Sequence, residues 1–203
     1  LVRTKGSEIG VRSALLPGLH SSLALWQLDI ASELVFTGDA GTTEARFPSR
    51  RRGIEWANNW TPLAGLSVDA DFSVSRARYT AVDAGVPGNR IPGALEQVAS
   101  VGVAWDAGGP WSGGARLRYV GPRPLIEDNS VRSKASLTTN LRVSRRLGAK
   151  AELTLDVFNL LDRKVNDIQY FYESRPSGLD AAEDRHVHPA EPRSARLSLR
   201  VQF

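Results

Sequence analysis

The sequence predicts an all-β fold: an antiparallel up-and-down transmembrane β-barrel segment of about nine strands. Three observations predict it. Apolar and polar residues alternate with period two through most of the chain, as in strands with one greasy face and one wet face. The segments between these runs alternate short and long, as in barrels with tight periplasmic turns and longer outside loops. Aromatic residues stand near the ends of several apolar faces, where a ring with a polar edge favours the membrane–water boundary.

Composition narrows the class. The 203 residues are 41% hydrophobic and 24% charged, ordinary for a globular chain. No stretch approaches the ~18–20 continuous apolar residues of a membrane helix. A barrel stays open, because its lipid face uses only every second residue. With no cysteine there is no disulfide framework and no thiolate metal site. There is no methionine either, and no signal peptide follows Leu1. The chain is therefore expected to be a processed or truncated C-terminal piece of a longer protein. Its net charge of +4 is carried mostly by arginines spread along alternating strands, without aromatic clustering, so no nucleic-acid partner is expected.

Taken in order, Ile9, Val11 and Leu15 alternate with Glu8, Gly10 and Arg12, and Pro17-Gly18 turns the chain. A second strand through "SSLALWQLDIASELVF" puts Ala24, Trp26, Leu28 and Ile30 on its apolar face and Gln27, Asp29 and Glu33 on the other. "TGDAGTT" is a loop. The third strand runs through "EARFPSRRRGIEWANNW", with Ile54, Trp56 and Trp60 against Glu55, Ala57 and Asn59; Pro48 weakens pairing near its start. After "TPLAG", the row Leu66, Val68, Ala70, Phe72 and Val74 alternates with a row holding Asp69 and Asp71, which no dry core accepts unpaired.

A longer loop covers 81–93. Val101, Val103 and Trp105 form the fifth apolar row, and "DAGGPWSGG" turns into the sixth, Ala115, Leu117 and Tyr119, set against Arg116 and Arg118. Residues 121–132 form a loop. The seventh strand sets Ala135, Leu137, Leu141 and Val143 against Lys134, Asn140 and Arg142, and "RRLGAK" turns tightly. The eighth sets Ala151, Leu153, Leu155 and Val157 against Glu152 and Asp156. A loop over about 166–190 leads to the ninth, where Ala195, Leu197, Leu199, Val201 and Phe203 alternate with Ser194, Arg196, Ser198, Arg200 and Gln202. That last pattern alone also fits an edge strand of a soluble sandwich, and the five tryptophans also fit a packed core.

In up-and-down order, the first and ninth strands point the same way and cannot close as an antiparallel pair. Bacterial single-chain barrels have even strand numbers. The chain is thus expected to hold the last nine strands of a larger barrel.

The pieces "KGSEIGVR" (5–12), "RRRGIEW" (50–56), "NRIPG" (89–93), "LDVFNLLDRKV" (155–165) and "HPAEPRSARLSLRVQF" (188–203) carry a resemblance. In this order, at hairpin spacing, the chain resembles the C-terminal part of the barrel of TonB-dependent outer-membrane receptors. It departs from the family at Leu160 and Leu161, where phenylalanine is usual, and at Val165, where tyrosine is usual. The N-terminal plug and the TonB-contacting box are not expected within this C-terminal piece. The resemblance implies a full barrel of about 22 strands. It also implies uptake of a scarce ligand too large for porins: a ferric siderophore above all, or cobalamin, haem or an oligosaccharide. The implied partners are outer-membrane lipid, the barrel-assembly machinery and TonB acting through the missing plug. Leu197, Leu199, Val201 and Phe203 resemble the barrel-assembly signal.

Candidate ligand-contacting loop residues are Arg90, Arg123, Tyr170, Tyr172, His186 and His188. Tyr170 and Tyr172 share one side of an extended segment, either stacking on a ligand or packing against neighbouring strands above the membrane. His186 and His188 share a side beside Glu183, Asp184 and Glu191, a spacing compatible with a metal; two rim histidines are the plainer reading, and no resident metal or cofactor is assigned. The three histidines form no discernible Ser-His-Asp set, so no enzyme activity is expected. The rivals are a self-contained small porin-like or structural outer-membrane barrel and a soluble β-sandwich binding module.

Overall fold

A computed structural model of the chain describes residues 2–37, 41–82, 84–85, 87–175, 177–178 and 180–203. Positions 38–40, 83, 86, 176 and 179, inside three of the expected loops, lie outside the described residues. The strands are β1 (Thr4–Ser13), β2 (Leu19–Ile30), β3 (Leu34–Thr37), β4 (Thr42–Ala45), β5 (Ser49–Leu63), β6 (Leu66–Tyr79) and β7 (Gln97–Trp105). They continue with β8 (Trp111–Val120), β9 (Ser136–Leu147), β10 (Ala151–Phe158), β11 (Asn166–Ser174), β12 (Ala182–Pro189) and β13 (Ser194–Val201). No helix occurs among the described residues.

Nine of these strands form one antiparallel sheet in the order β1-β2-β5-β6-β7-β8-β9-β10-β13. They are the nine the sequence predicts, each paired with its neighbour in chain order. The short connections 14–18, 64–65, 106–110 and 148–150 lie at one end. The long ones, 31–48, 80–96, 121–135 and 159–193, lie at the other. Two of the long connections are more than loops. β3–β4 and β11–β12 are separate two-stranded hairpins. The expected second strand therefore stops at Ile30, and Leu34–Phe36 belong to the first hairpin. Residues Trp111–Gly114, expected in a turn, open β8.

The sheet separates oil from water along its width. On the outer face, registered rows run Ile9–Leu25–Ile54–Val74 and Val11–Leu23–Trp56–Phe72–Ala99–Tyr119. The same face carries Leu153 opposite Leu199 and Leu155 opposite Leu197. These side chains have no second layer over them: Ile9 is 74% exposed, Leu197 68% and Leu199 62%. Left in water, such a patch far exceeds what soluble monomers show. Against hydrocarbon it is the low-energy surface. Trp60, Trp105 and Trp111 stand on this face at the short-turn end, and Arg145 lies 5.2 Å over the Trp111 ring.

The inner face is polar. Arg142 and Arg196 both bond the Asp156 carboxylate, at 2.6 and 3.1 Å, and Asp156 is only 5% exposed. Arg116 reaches across β7 to Asp69 at 2.9 Å and to Ser100 at 3.0 Å. Ser144 and Thr154 share a bond of 2.8 Å. A carboxylate this sheltered needs its cations close. The side chains meet because Arg142, Asp156 and Arg196 stand in one register across β9, β10 and β13.

Trp26 corrects the sequence reading. Ala24, Trp26, Leu28 and Ile30 do share a face, but it is the inner one, opposite Glu55, Gly53, Arg51 and Ser49. The indole lies over Gly53, where a Cβ would stand 2.5 Å from the ring. The outward residues of β2 are Leu23 and Leu25, followed by Gln27 and Asp29. Its polarity inverts along its length because its upper half rises beyond the oil band.

The motif "NLLDR" closes the sheet's last hairpin at the long-loop end. Asn159 (φ 46°) and Asp162 (φ 50°) take left-handed turns that asparagine and aspartate tolerate better than most residues. The buried Asn159 amide donates to the carbonyls of Arg163 (3.0 Å) and Glu191 (3.2 Å) and accepts from the Arg163 N–H. The Asp162 carboxylate accepts from the Arg193 N–H. The turn thus pins the chain after β10 to the segment that enters β13. The facing of β13 has a direct test: Leu199→Arg should cost about 2–4 kcal/mol of folding stability in lipid vesicles, and Ser198→Arg less than about 1. Equal losses for both would contradict it.

Candidate functional site

Above the oil band, at the long-loop end, the inner face becomes a small core. Ala77, Tyr79 and Ile91 are buried there, with Val35, Phe47 and Ala94 packed against them. Glu33 fastens the 31–48 connection to this core. Its carboxylate accepts from Arg51 at 3.0 and 2.9 Å and from the Ser49 hydroxyl. Its backbone exchanges bonds with Phe47 and Arg46. Burial pushes the Glu33 pKa up, but the Arg51 and Ser49 hydrogen bonds and the Arg51 charge outweigh it and hold the group below its ordinary value.

A groove of about 560 Å³ opens beside this core. Its walls come from four long connections: Phe36 from the β3–β4 hairpin, Ile91 and Leu95, Arg123 and Leu125, and Ile168 to Tyr170 from β11. Arg51 of β5 reaches it from the sheet. Phe36 and Tyr170 pack with ring centroids 4.7 Å apart. Arg123 is half-buried; burial lowers its pKa, and the nearby Tyr170 opposes that. Guanidinium groups beside aromatic rings in an apolar recess suit a bulky ligand bearing acidic or aromatic groups.

Of the six candidate contact residues, Arg123 and Tyr170 are brought together in this groove. Tyr170, Tyr172, His186 and His188 share one face of the β11–β12 hairpin, where Tyr170 pairs with His186 and Ile168 with His188. Tyr172 and His186 stack at 3.8 Å. The histidines stay two residues apart on one face, but no group of three or more metal-binding side chains forms among the described residues. Arg90 lies elsewhere: it bridges to Arg78 and pairs with Glu96 at 2.6 Å, facing outward.

Three residues that order the groove are not flagged by sequence pattern. Gln169 is 2% exposed, accepts from the Lys134 N–H at 3.1 Å and donates to the Lys134 carbonyl at 3.3 Å. It clamps the hairpin to the segment before β9. Glu33 and Phe36 are the others. A single Gln within "DIQYFYES" carries no signal until its partner, thirty-five residues away in sequence, is placed.

The "TonB dependent receptor-like, beta-barrel" family model matches residues 2–160. The chain belongs to the TonB-dependent receptor family. Its members are outer-membrane β-barrels, which sets this chain in that membrane. Solved structures agree on the fold. The chain is similar to the ferric-catecholate import receptor Fiu from E. coli, closed form, at 22% identity and a TM-score of 0.75, covering 100% of this chain and 28% of that one. It is similar to the ferric yersiniabactin uptake receptor FyuA from Yersinia pestis at 20% identity and 0.74, covering 100% and 30%. It is also similar to the copper transporter OprC at 17% identity and 0.73, covering 100% and 32%. The chain thus spans less than a third of the length of each of these three proteins.

The Glu33 anchor gives a pH dependence. A carboxylate whose folded pKa is depressed contributes stability above its unfolded value, lost as pH falls through the folded value. Hydrogen exchange at the Arg46 amide should therefore speed up, after correction for intrinsic rates, below the ordinary carboxylate value of 4.5. Glu33→Gln should show the faster exchange already at neutral pH. A pH-independent difference between the two proteins would count against the anchor.

Proposed function

We propose that this chain is the C-terminal barrel part of an outer-membrane receptor that takes up a scarce ligand, a ferric siderophore in the first instance. The groove holding Arg123, Tyr170 and Phe36 carries the proposal. It lies at the outside end, on the inner face, where a ligand descending into a barrel would first be held. Tyr172, His186 and His188 extend the contact surface along the same hairpin face, while Arg90, on the outer face and paired with Glu96, is not part of it. The ligand is then released inward when TonB pulls on a plug domain that the inner polar face, with Asp156 and Asp69 neutralised by arginines, would surround.

The unpartnered edges of β1 and β13 support a larger barrel, because an exposed ladder edge is a liability in any finished sheet. The end of β13 supports a role in barrel assembly. Leu197, Leu199 and Val201 project outward in phase, the Gln202 N–H bonds the Lys150 carbonyl at 2.8 Å, and Phe203 follows fully exposed.

Titration of the full receptor with a panel of ferric catecholate and hydroxamate siderophores, cobalamin and haem, read by tryptophan fluorescence, tests the ligand. One siderophore should bind, and Arg123→Ala with Tyr170→Ala should weaken it by at least about tenfold, the loss of one charged contact and one aromatic contact. Binding that ignores both substitutions would displace the site from this groove.

A further inference from the structure

The outer face changes character one step above the row Ile9–Leu25–Ile54–Val74. The next registered row outward is Ser7–Gln27–Arg52–Arg76, and the one beyond it Lys5–Asp29–Arg50–Arg78. Two arginine pairs thus stand directly opposite each other across β5 and β6: Arg52 with Arg76, and Arg50 with Arg78. Like charges in that relation destabilise a sheet. The carboxylates present are too few to offset them. Asp29 takes Arg50 at 2.6 Å. Glu96 is shared by Arg90 and Arg132, both at 2.6 Å. Arg52 bonds only the neutral Gln27, at 2.8 Å, and Arg76 has no ion pair among the described residues. Six guanidiniums face two carboxylates. The patch lies at the long-loop end, at the level where the oil band gives way to headgroups.

We propose that this patch is a docking site for the phosphate-bearing headgroup of an outer-leaflet lipid. The reading rests on the membrane facing of the sheet and is independent of which ligand is transported. Guanidinium forks recognise phosphate oxygens by paired hydrogen bonds. A headgroup phosphate between Arg52 and Arg76 relieves their repulsion, while its acyl chains lie down the apolar rows beneath. A ligand held this way is a lipid by position: its charged end and its chains match two adjacent levels of one wall. An acidic protein partner would match the charge but not the apolar band below it.

The full receptor, purified in neutral detergent, is incubated with a bis-phosphorylated lipid A, with the same glycolipid after phosphatase treatment, and with inorganic phosphate alone. Bound lipid is counted by native mass spectrometry. The intact lipid should bind, and the dephosphorylated one and inorganic phosphate should not. R52Q/R76Q should weaken binding roughly thirtyfold, at about one kcal/mol for each arginine at a charged surface. Arg200→Gln, on the inner face, should leave it unchanged. The β-sheet circular dichroism and heat-modifiable gel mobility of R52Q/R76Q should match the parent and serve as the folding control; Arg76→Gln alone is measured if the double variant fails it. Equal lipid retention by variant and parent, or equal retention of the dephosphorylated lipid, would overturn the proposal. Displacement of the lipid by inorganic phosphate at equal concentration would overturn it as well, by assigning the patch to a free anion.

Discussion

A wall one residue thick has no interior in which to hide a mismatch. Each strand shows alternate side chains to hydrocarbon and to a polar lumen, and every backbone donor inside the bilayer must bond to the next strand. That constraint accounts for most of the structure. It explains why leucines stay exposed on one face while a carboxylate such as Asp156 is shielded on the other. It also explains why the largest buried apolar cluster is a handful of side chains under the outside loops. The sheet proper is stabilised by its ladder and its surroundings, with little help from a core.

The same constraint switches off where the strands leave the oil. β2 turns from Leu23 and Leu25 outward to Trp26, Leu28 and Ile30 inward. β5 and β6 turn from Ile54 and Val74 to Arg52 and Arg76 on the same outer face. One strand therefore has two regimes. In the lower part it partitions lipid from lumen. In the upper part it is an ordinary two-sided element, wet outside and packed inside against loops. The groove of Arg123, Tyr170 and Phe36 exists because the upper regime lets apolar side chains gather on the inner face, which they do not do below.

Much of this was legible in the sequence. Alternation located nine strands, and the rhythm of short and long connections matches the one-end and other-end placement of the turns and loops. Facing on β2 was misread because Leu23 and Leu25 and Trp26, Leu28 and Ile30 form two apolar rows of opposite phase in one strand, and nothing in the pattern marks where the bilayer ends. The hairpins β3–β4 and β11–β12 were hidden because Leu34–Phe36 continue an apolar run and the Tyr170 segment alternates only briefly, broken at Phe171, with nothing to mark its partner strand. The pairing of Arg123 with Tyr170 depends on how two loops fold over the sheet, a long-range relation that no local spacing encodes. "NLLDR" is visible as a motif, but its work, tying the end of β10 to the entry of β13, rests on an Asn159 contact with Glu191 thirty-two residues away.

The most direct test of the lipid-facing wall uses two tryptophans on adjacent strands. Trp56 faces outward opposite Phe72, and Trp26 faces inward over Gly53. In single-tryptophan versions of the full receptor, reconstituted with lipids brominated along the acyl chain, fluorescence of Trp56 should be strongly quenched. Trp26 should be almost untouched. An unquenched Trp56 would mean that the sheet presents its other side to the membrane.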